Sequence, residues 1–150
     1  MSGKKIAIVT GASSGMGREM VYLLADHFAA LEEIWVIARR KDRLEELVGK
    51  VPVSLRILPF DLSDEEDLCM LSGLLKQEQP NVKILVNGAG YGKTGAAGTI
   101  PGSLSTGMVR LNDEALVAVT EMVLPYISGN SRIIQFASAA AFMPQPGFAV

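Results

Sequence analysis

Three glycines, Gly11, Gly15 and Gly17, stand in "IAIVTGASSGMGREM" with the spacing G-x-x-x-G-x-G. An apolar run precedes them and a helical pattern follows, so they sit where a strand turns into a helix. There Gly11 lets the chain turn sharply off the strand, Gly15 lets backbone approach a phosphate, and Gly17 lets the helix pack close to the sheet. The free N–H groups and positive dipole end of the helix would face that phosphate. The plainer alternative is a glycine-rich turn. Further on, "IARRKDRL" has Ala38 where an acid commonly receives a ribose 2′-hydroxyl, followed by Arg39, Arg40 and Lys41. Cations at a helix start oppose its dipole, and a 2′-phosphate would offset that cost. A solvated basic turn is the alternative. Asp61 in "PFDLSD" reads, on residues alone, as a turn or capping aspartate. Asn112 interrupts an apolar stripe of Met108, Ala115, Val119 and Met122, and a buried Asn needs hydrogen-bond partners. A locally satisfied structural Asn would meet that need. Ser138 closes the run "RIIQFAS", and ligands of open α/β sheets gather at the C-terminal ends of strands. Serine at a strand end is also common without a function.

These residues need a frame. Five short runs rich in β-branched residues read as strands, over 5–10, 33–38, 54–60, 83–87 and 132–137. They are nearly continuously apolar, as expected when helices cover both faces of a parallel sheet. Four helical patterns lie between them. The first spans 16–31 with Met16, Met20, Leu23, Leu24, Phe28 and Leu31 on one face. The second spans 41–48. The third opens at "LSDEEDL", with Ser63 as N-cap and Glu66 completing a capping box. The fourth is long, over 105–127, and Pro125 should bend or end it. Strand–helix alternation gives a doubly wound α/β sheet.

Composition sets the outer bounds. The chain has 150 residues, 49% hydrophobic and 20% charged, a globular composition with room for one sizeable core. A net charge of -2 argues against a nucleic-acid binder, which needs a basic face. The lone Cys69 excludes an internal disulfide framework and reads as a core thiol beside Leu68 and Leu71. The N-terminal apolar run is too short for a signal-peptide core, and no metal site is read. A soluble, cytoplasmic protein is expected.

The segment "TGASSGMG", Thr10 to Gly17, resembles the first-loop pattern T-G-x-x-x-G-x-G of the short-chain dehydrogenases/reductases. The resemblance runs along the whole chain and implies a dinucleotide-binding Rossmann domain over residues 1–150, with five of the family's seven strands. It implies that Gly11, Ser13, Ser14, Gly15, Met16 and Gly17 cradle the cofactor phosphates. Arg39 would be the main 2′-phosphate contact, with Arg40 and Ser14 assisting, so that the cofactor is NADP(H). Asp61 would accept from the adenine amino group, with the backbone of Leu62 alongside. Asn87, Gly88, Ala89 and Gly90 occupy the family's N-N-A-G motif, with Gly88 in place of the second Asn. Ser138 would hydrogen-bond the substrate carbonyl, and Asn112 would hold a water in a proton relay. The implied activity is interconversion of a carbonyl and an alcohol on a small molecule, in a homodimer or homotetramer.

The family's proton donor is a tyrosine in Y-x-x-x-K, about a dozen residues beyond the serine, its acidity raised by the lysine. Counting from Ser138, the chain reaches Val150 at or just before that tyrosine. Tyr22, Tyr91 and Tyr126 lie in other elements without a lysine four residues on, and His27 reads as filler. The expectation is therefore a C-terminally incomplete domain without turnover as it stands, drawn from an active parent. The alternative is a non-catalytic dinucleotide-binding module or sensor.

Overall fold

The computed structural model describes residues 3–96, 98–143 and 145–147. Strands β1 (Lys5–Thr10), β2 (Glu33–Ile37), β3 (Ser54–Leu58), β4 (Asn81–Asn87) and β5 (Ile127–Gln135) form one parallel sheet in the order β3-β2-β1-β4-β5. This is the Rossmann-type doubly wound arrangement that the alternation implied. At the C-terminal ends, Thr10 is level with Ile37 and with Asn87, and Asn87 is level with Gln135. The loops after β1, β2, β4 and β5 therefore open on one side, and the order reverses between β1 and β4. That reversal is where open α/β sheets bind ligands.

Alternate strand residues feed two cores. On one face, Ile8, Trp35 and Leu85 pack under α3 (Glu65–Glu78) and α5 (Ala115–Val123) through Leu71, Leu75, Val119 and Val123. On the other, Val9, Val36 and Val86 pack under α1 (Gly15–His27) and α2 (Lys41–Glu45) through Val21, Leu24 and Leu44. A charge network gathers around the buried Glu33 at the start of β2. Glu33 accepts from Lys4 Nζ at 3.1 Å and from Trp35 Nε1 at 2.7 Å. The Arg56 guanidinium lies 5.0 Å above the Trp35 ring and pairs with Glu78 at 3.1 Å.

Several expected features are placed differently. Helix α1 ends at His27, and its buried face is Gly17, Val21 and Leu24. Met16 is 65% exposed and Leu23 is 50% exposed, so the face led by Met16 is not the core face. Gly17 decides this, because its backbone lies against Gly11 and turns its own side of the helix to the sheet. The cap of α3 is Asp64, whose carboxylate accepts from the N–H groups of Glu66 and Asp67. Ser63 instead donates to Asp61 Oδ1 at 2.6 Å. Cys69 is exposed, because a position two residues before Leu71 lies well round the helix from the Leu71–Leu75 stripe. Strand β5 starts five residues before the expected 132. Ser128 to Ser131 bulge out between two paired stretches, Asn130 adopts φ +65°, and Lys83 Nζ holds Ser128 Oγ at 2.6 Å.

The expected long fourth helix is three pieces. Helix α4 (Gly102–Val109) runs into a π-helical turn, Arg110–Glu114, and then into α5. A 3₁₀ turn at Leu124–Tyr126, with Pro125, ends it. Past the π-helical turn the inward stripe is Ala115, Val119 and Val123, with Met122 only half-buried.

Candidate functional site

Thr10 ties the switch point together. Its Oγ1 is buried and accepts from the N–H groups of Gly88 at 3.0 Å and Ala89 at 3.1 Å. The loop after β4 is thus fixed against the loop after β1. The two backbones meet so closely that a Cβ on Gly11 would lie 2.4 Å from Gly88 O, and one on Gly17 would lie 2.4 Å from Gly11 O. Only side-chain-free residues fit this layer. Gly11 adds a φ of +70°, a conformation that L side chains rarely adopt.

Beside this layer opens a cleft of about 340 Å³. Gly11, Ser13, Ser14, Gly15, Met16 and Gly17 line it from the first loop, and Arg39 and Arg40 from the end of β2. Asp61 and Leu62 line it from β3, and Gly88, Ala89 and Gly90 from β4. Ile37, Ala38, Phe60 and Leu111 complete the wall. Of the fourteen expected cofactor residues, thirteen converge here. Asn87 does not. It is buried, and its Nδ2 donates to Thr120 Oγ1 on α5 at 2.9 Å.

The cleft is chemically lopsided. The start of α1 has no acidic residue in its first turn, and Ser14 at the cap position makes no side-chain cap bond. The start of α3, by contrast, is satisfied by Asp64 and carries Glu65, Glu66 and Asp67. Uncapped first-turn N–H groups and the helix dipole favour an anion at α1. Above them, Arg40 Nη2 donates to Ser13 Oγ and Ser14 Oγ, each at 3.2 Å. Arg39 Nη1 stands 4.0 Å from Asp61 Oδ2, with both side chains substantially exposed. Asp61 Oδ1 accepts from the Ser63 N–H and hydroxyl. Behind the arginines, Glu46 receives Arg18 Nη2 at 3.1 Å and Arg43 Nη1 at 3.2 Å, pinning the α2 segment to α1. Hydrogen bonding to Tyr22 and then to Glu46 raises the Arg18 guanidinium pKa above its ordinary value. Glycine backbone at the switch point, an uncapped helix start and two adjacent guanidinia together fit the pyrophosphate and ribose of a dinucleotide.

The two residues expected at the reacting end lie outside this cleft wall. Asn112, in the π-helical turn, forms a reciprocal pair with Tyr91. Its Nδ2 donates to Tyr91 O at 2.8 Å, and its Oδ1 accepts from Tyr91 N at 3.0 Å. Ser138 follows β5 and is exposed, with its Oγ accepting from Ala140 N at 3.2 Å. Residues not anticipated as functional also hold this region. Thr10 had a signal, as the first letter of the loop motif. Leu111 and the Arg18–Glu46 strut had none, because side chains meeting across helices leave no spacing in the chain.

The family model for short chain dehydrogenases matches residues 5–150. The chain belongs to the short-chain dehydrogenase family. It is 31% identical to the uncharacterized oxidoreductase YusZ of Bacillus subtilis, over 95% of this chain and 52% of that protein. The short-chain dehydrogenase from Sphingobium yanoikuyae, solved in complex with NADPH, superposes with a TM-score of 0.85 at 27% identity, over 96% of this chain and 57% of that one. The 3-ketoacyl-(acyl-carrier-protein) reductase from Brucella melitensis, complexed with NADH, gives a TM-score of 0.82 at 27% identity, over 97% of this chain and 61% of that one. The chain spans about half to three-fifths of the curated relatives' length. No helix among the described residues is long and apolar enough to cross a membrane.

Proposed function

We propose that this short-chain dehydrogenase is an NADP(H)-dependent oxidoreductase interconverting a carbonyl and an alcohol on a small molecule, with residues 1–150 its dinucleotide-binding domain. The observation that carries the reading is one cleft that joins the uncapped start of α1 to Arg39 and Arg40, with Ala38 where an acid would select a free ribose hydroxyl. When bound, the nicotinamide supplies or accepts the hydride.

The chain's own residues bind and orient. The backbone from Gly11 to Gly17 holds the pyrophosphate. Arg39 takes the 2′-phosphate, and Arg40 reaches it while bonded to Ser14. Asp61 and the Leu62 backbone meet the adenine. Gly88, Ala89 and Gly90 let the second ribose lie against backbone, and Asn87 braces that loop from below through Thr120. Ser138 donates to the substrate oxygen. Asn112 serves the proton relay from the break in the helix, its amide fixed on Tyr91.

Calorimetric titration with NADP⁺ and NAD⁺ tests this. A charge-assisted hydrogen bond contributes about 1.5–3 kcal/mol, so NADP⁺ should bind at least about tenfold more tightly. Equal affinities, or tighter NAD⁺, would overturn the assignment.

A further inference from the structure

Charge is segregated along the C-terminal end of the sheet. A fifth of the chain is charged, yet residues 94–109 and 133–150 contain no Asp, Glu, Lys, Arg or His. Their described residues, up to Gly147, lie side by side. β4 and β5 are parallel neighbours with Asn87 level with Gln135, so the loops that follow them leave the same sheet end. The Phe136 ring lies against Gly88, 3.0 Å from where a Cβ would be. The Gly95 N–H donates to Gly147 O at 2.8 Å, joining the two loops directly. Among the described residues their exposed surface is apolar or neutral, with Phe142 88% exposed, Met143 68% exposed and Leu104 exposed. The arginines stand instead at the end of β2, across β1 from these loops.

We infer that the substrate is an uncharged, largely apolar carbonyl compound or its alcohol, excluding carboxylates, phosphate esters and amines. This rests on the oxidoreductase reading above, and it deepens that reading by naming the substrate class. A carboxylate held beside the reacting carbon must leave water, which is costly without a paired cation. Proteins that select carboxylates use a fixed Arg fork for the purpose, and neither stretch supplies one. Lys93, Arg110 and Arg132 flank the two stretches in the chain, but Arg110 stands with Asp64 and Glu66 at the start of α3 and Arg132 with Lys5 and Phe28, which leaves the exposed Lys93 as the cation that opens onto these loops. A lone exposed ion pair is worth about fivefold in affinity at most, whereas each methylene buried on an apolar wall is worth about fourfold. Three methylenes outweigh the lysine.

The test is steady-state reduction by the full-length protein with NADPH, using 4-phenyl-2-butanone and 4-phenyl-2-oxobutanoate, which differ by a methyl against a carboxylate. The ketone should show kcat/KM at least about 100-fold higher, and a 2-alkanone series should gain about fourfold per added methylene before levelling. An oxo acid within threefold of the ketone overturns the inference, and a preference for it that K93Q abolishes names Lys93 as the anchor instead. Bound NADPH with every uncharged carbonyl inert also overturns it, while leaving the cofactor reading standing. Failure to bind NADPH brings down the oxidoreductase reading and this inference together.

Discussion

Replacing Gly11 by alanine is the sharpest probe of how the cleft is built. Two separate costs meet at that residue. Its φ of +70° costs an L side chain about 1–2 kcal/mol. Its new Cβ would also lie 2.4 Å from Gly88 O and 2.8 Å from Ala89 N. Those are backbone atoms, and their loop is tethered by two N–H bonds to Thr10, so it cannot retreat without losing them. Such overpacking costs about 1–3 kcal/mol, giving roughly 2–5 kcal/mol in total against a typical domain stability of about 5–15 kcal/mol. Gly15→Ala is the internal control. Its φ is +55°, but a Cβ there meets nothing within 4 Å, so only the conformational cost of about 1–2 kcal/mol applies. Urea denaturation at constant m-value separates the two. The Gly11→Ala midpoint should fall clearly further than that of Gly15→Ala. Equal midpoints would refute the claim that close contact between the β1 and β4 loops, beyond glycine's backbone freedom, holds the switch point together.

Three further outcomes follow from described contacts. Thr10→Val keeps the shape but leaves the Gly88 and Ala89 N–H groups without their acceptor; at about 1–3 kcal/mol for a buried unsatisfied donor, the urea midpoint should drop by an amount near that of Gly11→Ala. Arg39→Ala with Arg40→Ala should weaken NADP⁺ binding by about 10- to 100-fold while moving NAD⁺ by less than about threefold, read by calorimetry. Asn112→Ala removes both bonds to the Tyr91 backbone, so the Tyr91 amide should exchange with solvent measurably faster while amides in the middle of β1 keep their protection.

The first strand and the glycine loop were legible in the chain because their physics is local. An apolar run, a sharp turn and a helix start occupy consecutive residues, and strand β1 falls on the expected 5–10. The face of α1 was misread because it was drawn through the apolar residues alone and not through Gly17, although the glycine loop already implied that Gly17 packs close to the sheet. Gly17 has no apolar side chain to signal burial, yet its contact with Gly11 turns that side of the helix inward. The break in the fourth helix was half-legible. Asn112 stood out as a polar interruption, but the π-helical turn that accommodates it adds no residue type that a sequence pattern would mark. The early start of β5 was hidden because Ser128, Gly129 and Asn130 are turn-forming types, and the segment is held by contacts distant in the chain, Ser128 with Lys83 and Asn81 and Ser131 with the Val82 carbonyl. The converging residues of the cleft were found from a motif, whereas the Thr120 brace and the Glu46 strut depend on contacts between elements far apart in the chain.

The chain has a single tryptophan, and its setting makes it an optical gauge. Trp35 is 1% exposed, its indole N–H is held by Glu33, and Arg56 lies over its ring. One fixed environment should give one dominant emission lifetime rather than a mixture. Trp35 lies two residues before Ile37, which lines the cleft, a separation of about 7 Å along the strand. Tryptophan emits where a reduced nicotinamide absorbs. Quenching of this one fluorophore, with sensitised blue emission appearing in step, would therefore count occupied sites directly, with no added dye and no engineered label.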